Sequence, residues 1–193
     1  MTRVSEPGKN LKLVQGGLRI ETVLGNIRVV AAPEESKLFD VDVIVREEDT
    51  WLVMSADPEK CMPEIHPIRL MTELIEAKPE TPGRVLIQQG SPIRFLAVVH
   101  DFNMDPTWKE EWIYQALNYV FKESEKRKMK AVGIPLLCTR HGRLDVDRFL
   151  FIVTDIINRT SFKYLRRLWL MTYKGLAPGL INRIEKHWAK ING

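Results

Sequence analysis

The feature that most constrains the fold is an alternation of apolar strands and amphipathic helices in the second half of the chain. Residues 95–99 (FLAVV) and 131–137 (AVGIPLL) are apolar on both faces, as strands buried between helices must be. Between them, apolar residues recur at helical spacing from Ile113 to Phe121. Because parallel neighbours need a crossover, usually a helix, this order predicts a three-layer α/β/α fold with a mixed, mostly parallel sheet.

The rest of the hydrophobic pattern completes the set of predicted elements. The long helix is predicted to begin at Pro106 with Asp105 as its cap, and a second helix carries apolar residues from Val146 to Ile157. A short helix is predicted from Pro67, and a closing helix over residues 181–191. Further strands are predicted at residues 18–24, 27–32, 41–45, 84–88, 93–100 and 168–173.

The organisation along the chain indicates one domain. We find no internal repeat and no low-complexity linker in the 193 residues. The proline-rich stretch 78–83 fits a loop within a domain. We therefore expect residues 18–193 to form a single domain, with residues 1–17 as an N-terminal extension or edge strand.

Cysteine, histidine and hydropathy patterns limit the class of protein. The two cysteines, Cys61 and Cys138, cannot form a disulfide framework, and the four histidines are too scattered for a sequence-level zinc motif. No apolar run approaches the roughly 20 residues of a membrane span. The first ten residues are polar and lack a signal-type apolar segment. We expect a soluble cytoplasmic protein that needs no metal or other cofactor.

The basic charge raises the question of nucleic-acid binding. The net charge is +4, and residues 156–184 contain six Lys or Arg side chains and no acid. No RNA-binding motif or arginine-rich helix accompanies them, and solvated loop charges explain the pattern as well. We therefore do not expect a nucleic-acid partner.

Polar residues follow three of the predicted strands. These are residues 46–49 (REED), 100–103 (HDFN) and 138–143 (CTRHGR). In open α/β sheets, ligands bind at the carboxyl ends of the strands. The three loops are therefore the candidate site.

The order of elements resembles the macro domain, the ADP-ribose-binding fold. Residues 24–27 (LGNI) are similar to the early Gly-Asp-Ile turn of that family, and residues 41–45 (VDVIV) resemble its Val-Asp-Ala-Ile-Val strand. Residues 98–100 (VVH) and 134–139 (IPLLCT) resemble its Ile-Ile-His strand end and the opening of its phosphate loop. The resemblance covers residues 18–190 and implies a pocket for a nucleotide-like ligand.

Departures from the family pattern imply a degraded pocket. Hydrolytic members carry Asn-Ala-Ala-Asn where this chain has residues 46–49 (REED), and the glycine-rich loop is replaced by residues 139–142 (TRHG). Arg140 and His141 can still bind phosphate, and Asn26 can accept a hydrogen bond from an adenine amine. The ligand-binding residues that the resemblance implies are Asn26, Arg46, His100, Thr139, Arg140, His141 and Gly142.

Three functions remain open. The first is a non-catalytic module that binds an ADP-ribose-like or other phosphorylated small molecule. The second is a structural or protein-interaction domain, a homodimer for example, because the chain is also similar to the macro-like N-terminal domain of leucyl aminopeptidases. The third is a hydrolase that uses His100, Asp101 and His141, with Glu48 as a further zinc ligand or acid. We expect a binding protein rather than an enzyme.

Residues 47–49 and Cys138 each allow two interpretations. The three acids either repel a diphosphate in a binding loop or form the turn of a hairpin in which residues 51–55 pair with residues 41–46; we favour the hairpin. Cys138 is either a nucleophile beside His141 or a buried structural residue, which is the commoner case.

Overall fold

A seven-stranded mixed sheet organises the part of the chain that the computed structural model describes, which is residues 14–15, 18–36, 38–54, 78–173, 176 and 179–193. A separate antiparallel pair, β1 (Val14–Gln15) and β2 (Leu18–Arg19), precedes it. The strands of the large sheet are β3 (Glu21–Leu24), β4 (Ile27–Pro33), β5 (Val43–Asp49), β6 (Val85–Gln88), β7 (Ile93–His100), β8 (Ala131–Pro135) and β9 (Arg167–Thr172).

The strand order is β3-β4-β9-β8-β5-β7-β6. Every pairing from β4 to β7 is parallel, and only the edge strands β3 and β6 run antiparallel to their neighbours. The predicted α/β class with a mixed, mostly parallel sheet is confirmed. All five parallel strands therefore place their carboxyl ends on the same edge of the sheet.

Three helices cover one face of the sheet within the described residues. They are α1 (Glu110–Lys126), α2 (Val146–Arg159) and α3 (Leu180–Asn192), and α2 contacts both of the others. Asp145 caps α2 by accepting the backbone N–H of Arg148 at 3.1 Å. None of these helices has the length and apolar content needed to cross a bilayer. The helix predicted from Pro67 lies outside the described residues.

The helix α1 has the predicted apolar face but a different start. Its buried stripe, from Ile113 to Phe121, packs toward β7, whose residues Phe95, Ala97 and Val99 are fully buried. The helix begins at Glu110 and not at Pro106, and no side chain caps it. The backbone N–H of Asp101 bonds the carbonyl oxygen of Thr107, so the residues after β7 close a loop before the helix begins.

The hairpin predicted from residues 47–49 is wrong. Those acids belong to β5, which stays paired with β7 as far as Asp49 and His100, across a register shift between Glu48 and Asp49. The carboxylate of Asp49 then accepts the backbone N–H groups of Trp51, Val53 and Met54 at 2.6, 2.9 and 3.0 Å. Residues 51–54 consequently form a turn, because three of their N–H groups are bound to one side chain and not to a neighbouring strand.

Candidate functional site

A cavity of about 440 Å³ opens at the carboxyl edge of the sheet. The neighbouring strands β5 and β8 pair only through Val43–Val132 and Ile44–Gly133, and beyond these pairs they separate. Arg46 and Glu47 of β5 form one wall, and the segment after β8 forms the other. The carboxyl ends of β5 and β8, which the sequence predicts at one site, therefore border the same cavity, and its volume is usual for small-molecule pockets.

Four of the predicted ligand-binding residues line this cavity. Arg46, Thr139, Arg140 and His141 contribute to its surface, and the side chains of Arg140 and His141 are exposed. The Thr139 hydroxyl donates to the carbonyl oxygen of Leu136 at 2.7 Å, which tightens the turn that carries Arg140. The loop after β8 thus offers the guanidinium of Arg140 and the imidazole of His141 to the cavity.

Arg46 is engaged by an acid that the sequence did not single out. Its guanidinium donates to both carboxylate oxygens of Glu34, at 3.0 and 2.6 Å. Glu34 follows the carboxyl end of β4 and also lines the cavity. Exposed ion pairs of this kind are worth at most about 1 kcal/mol, so an incoming anion can compete for Arg46.

Asn26 does not belong to this site. It lies in the turn before β4, whose seven residues carry the chain about 20 Å to the carboxyl edge. Its side-chain amide donates to the carbonyl oxygen of Phe162 at 2.7 Å, beside a second hollow lined by Arg28, Arg166 and Arg167. The predicted contact between Asn26 and the base of a ligand held by Arg140 is therefore wrong.

Gly142 serves packing and does not line the cavity. Its carbonyl oxygen accepts the indole N–H of Trp108, and a Cβ at this position would collide with the Trp108 ring and lie 2.9 Å from the carbonyl oxygen of Cys138. A glycine is required here because the indole lies directly against the loop. The role predicted for Gly142 as part of a phosphate loop is not supported, whereas the partly buried Trp108 packs against the hydrophobic core.

His100 is buried below the cavity wall and does not form the predicted group with Asp101 and His141. Its Nε2 lies 2.5 Å from Oε1 of Glu47, and its Nδ1 lies 3.0 Å from Oγ1 of Thr107. The Asp101 carboxylate accepts the backbone N–H of Asn103 at 3.0 Å, within its own loop. The arrangement of His100, Asp101 and His141 that the sequence suggests for a hydrolase is therefore wrong.

The residue that meets His100 is Glu47 and not Glu48. Glu47 is partly buried and lines the cavity, whereas Glu48 is fully buried. Cys138 completes a trio, because its backbone N–H donates to Oε2 of Glu47 at 2.9 Å and its Sγ lies 3.6 Å from Nε2 of His100. One ligating atom from each of the three residues lies within 4.8 Å of the others.

The environment of Cys138 disfavours a nucleophilic thiolate. Burial, together with the charge of Glu47, raises the pKa of the Cys138 thiol far above its ordinary value. The thiol does not line the cavity, and its neighbour is His100 rather than His141. Sequence reasoning missed the trio because it depends on three adjacent strands, β8, β5 and β7, ending side by side.

Solved macrodomains share this architecture. The Oceanobacillus iheyensis macrodomain with ADP superimposes with a TM-score of 0.65 at 11% identity, over 89% of this chain and 96% of that one. The Trypanosoma brucei macrodomain in complex with ADP gives a TM-score of 0.60 at 10% identity, over 92% of this chain and 78% of that one. The macro domain of ganglioside induced differentiation associated protein 2 gives 0.60 at 14% identity, over 86% and 85%.

The chain has the macrodomain fold. The resemblance inferred from the order of strands and helices is thereby confirmed at the level of the fold. No protein-family model and no curated protein matches the chain by sequence. Within this fold, the cavity is lined by side chains that include Arg140 and His141 of the loop after β8.

Proposed function

We propose that this macrodomain fold is a non-catalytic module that binds an ADP-ribose-like or other phosphorylated small molecule in the cavity at the carboxyl edge. The observation that carries the proposal is the placement of Arg140 and His141 on the cavity surface, beside the exit of β5. An arginine guanidinium binds phosphate oxygens by short, strong hydrogen bonds, and an imidazole N–H also donates to them. The pocket is degraded in the sense that side chains, and not glycine backbone, present the donors.

The acids of β5 do not oppose an anionic ligand as their sequence suggests. Both oxygens of Glu47 are engaged, by His100 and by the backbone N–H of Cys138. Asp49 is buried and bound to the turn that follows it. Glu34 is paired with Arg46. Arg46 therefore offsets the charge of Glu34, and Glu47 and Asp49 direct their oxygens toward protein donors, which lessens the Coulomb repulsion of an anionic ligand.

Structural neighbours support a nucleotide-like ligand. One Oceanobacillus iheyensis macrodomain was solved with ADP and a mutant of it with ADPR, and the Trypanosoma brucei macrodomain was solved with ADP. Because the donors proposed here are exposed side chains, we expect affinity that falls as ionic strength rises.

Isothermal calorimetry with ADP-ribose, ADP and inorganic phosphate tests the proposal. Arg140→Ala removes a charge-assisted hydrogen bond worth about 1.5–3 kcal/mol, so the dissociation constant should rise about tenfold or more. The matched control is Arg94→Ala, because Arg94 is exposed near the amino end of β7, away from the cavity. Millimolar or absent binding of all three compounds, or equal loss in both variants, would favour a structural or interaction role instead.

A further inference from the structure

The trio of Glu47, His100 and Cys138 presents three ligating atoms to one point. A carboxylate oxygen, an imidazole nitrogen and a thiol sulfur lie within 4.8 Å of one another. Glu47 lies in β5, His100 ends β7, and Cys138 lies in the loop that follows β8, a neighbour of β5 in the sheet. His100 and Cys138 are fully buried, and the Glu47 side chain is 12% exposed.

The surroundings of His100 are compatible with a proton on either ring nitrogen. With the proton on Nε2, this atom donates to Oε1 of Glu47 at 2.5 Å and the Thr107 hydroxyl donates to Nδ1 at 3.0 Å. With the proton on Nδ1, this atom donates to Oγ1 of Thr107, and the lone pair of Nε2 faces Oε1 of Glu47, where a metal ion takes the place of the proton. An N–H donated to a neighbouring oxygen is also the usual way in which a ligating histidine is oriented.

We propose that Glu47, His100 and Cys138 form a binding site for one divalent ion of the zinc type. Thiolate, imidazole and carboxylate together are ligands that suit Zn²⁺ better than the all-oxygen preference of Mg²⁺ or Ca²⁺. The site is distinct from the phosphate-binding groups proposed above, and it stands without them. The sequence suggested zinc through His100, Asp101, His141 and Glu48, and of these only His100 belongs to the trio.

The distances between the three ligating atoms agree with tetrahedral zinc coordination after a small movement of the Glu47 side chain. Usual zinc bond lengths place the sulfur and nitrogen ligands about 3.6 Å apart, the separation of 3.6 Å observed between Sγ of Cys138 and Nε2 of His100. They place nitrogen and oxygen about 3.3 Å apart, so Oε1 of Glu47 must move by about 0.8 Å from its present 2.5 Å. Glu47 also lines the cavity, and a rotation of its side chain gives an ion a route to the site.

The strained backbone at Cys138 is consistent with a site that positions the sulfur. Cys138 has φ of 59°, in the left-handed region that non-glycine residues seldom adopt. Its carbonyl oxygen accepts the N–H of Leu144 at 2.9 Å, and its own N–H is bound by Glu47. The loop therefore holds this conformation from both sides, at a cost of order 1–3 kcal/mol.

Metal binding by the full chain tests the inference. After removal of metal with a chelator, the protein is titrated with Zn²⁺ followed by calorimetry, and with Co²⁺ followed by absorbance. We expect one ion per chain and a thiolate-to-cobalt charge-transfer band. Cys138→Ser should abolish that band, whereas Cys61→Ser and His141→Ala should retain it. Thr107→Val, a nearly isosteric change, should weaken zinc binding by about 10- to 100-fold through loss of the histidine's partner.

The results separate this inference from the proposed function. Absence of stoichiometric zinc and of the cobalt band in the unaltered chain overturns the metal site and leaves a proton between Glu47 and His100. Loss of the band in Cys61→Ser or His141→Ala also overturns it. If Cys138→Ser does not fold, the cobalt band of the unaltered chain and its weakening in Thr107→Val still decide. Nucleotide titration of the metal-free protein is a separate measurement, so either proposal can fail alone.

Discussion

Replacement of Asp49 by Asn tests how the turn beside the cavity is held. Oδ2 of Asp49 accepts the N–H groups of Val53 and Met54, and Oδ1 accepts that of Trp51. An amide keeps one acceptor oxygen, which can still accept from Val53 and Met54, so the bond to Trp51 is lost and the other two lose their charge assistance. At about 1.5 kcal/mol for the lost bond and about 0.75 kcal/mol for each of the two that become neutral, the loss is about 3 kcal/mol.

Urea unfolding measures the change in the free energy of unfolding directly. In thermal unfolding, the same loss of about 3 kcal/mol corresponds to a fall in Tm of about 6–12 °C for a chain of 193 residues. The control is Asp40→Asn, because Asp40 is exposed and the same substitution there should change stability by less than about 0.5 kcal/mol. Met54 lines the cavity, so Asp49→Asn should also weaken binding of ADP-ribose. Equal stability of the two variants would refute the argument that one carboxylate organises the turn.

The other predictions concern packing and pH. Gly142→Ala should destabilise the protein by about 1–3 kcal/mol, since the new methyl group meets the Trp108 ring; Gly133→Ala, whose added Cβ makes only ordinary contacts, is the control in the same urea assay. Burial opposes ionisation of Glu125, but the backbone N–H groups of Leu165, Lys163 and Tyr164 outweigh it and lower the pKa below 4.5. Its stabilising contribution is therefore complete above pH 4.5 and lost as the pH falls through the lowered pKa. Unfolding measured against pH should show Glu125→Gln less stable than the unaltered chain at pH 7, with the difference narrowing on acidification; a constant difference would contradict this cause.

Hydrophobic periodicity was a reliable guide to the elements. The apolar stripes of α1 and α2 and the strand β7 lie where the sequence predicts them. These features depend on which side chains repeat on one face, and that repeat is local. The start of α1 was wrong because the loop before it is closed by a backbone bond between Asp101 and Thr107, which no local pattern reveals.

The candidate site was predicted in part. Arg140 and His141 follow a buried strand, and the rule that ligands bind at carboxyl ends places them at the cavity. Asn26 was misplaced because a turn signal does not say at which edge of the sheet the turn lies. Glu34 was missed because its partnership with Arg46 depends on neighbouring chain segments meeting in space.

The sequence by itself determined the class of fold, the faces of the helices and the loop that carries Arg140, since periodicity and strand ends are written along the chain. Only the tertiary structure decided that Glu47 meets His100 and Cys138, that Asp49 closes a turn, and that Gly142 lies against Trp108. For the trio, the physical reason is that strand order and register bring together residues 38 to 91 positions apart, and a shift of one residue would exchange Glu47 for Glu48.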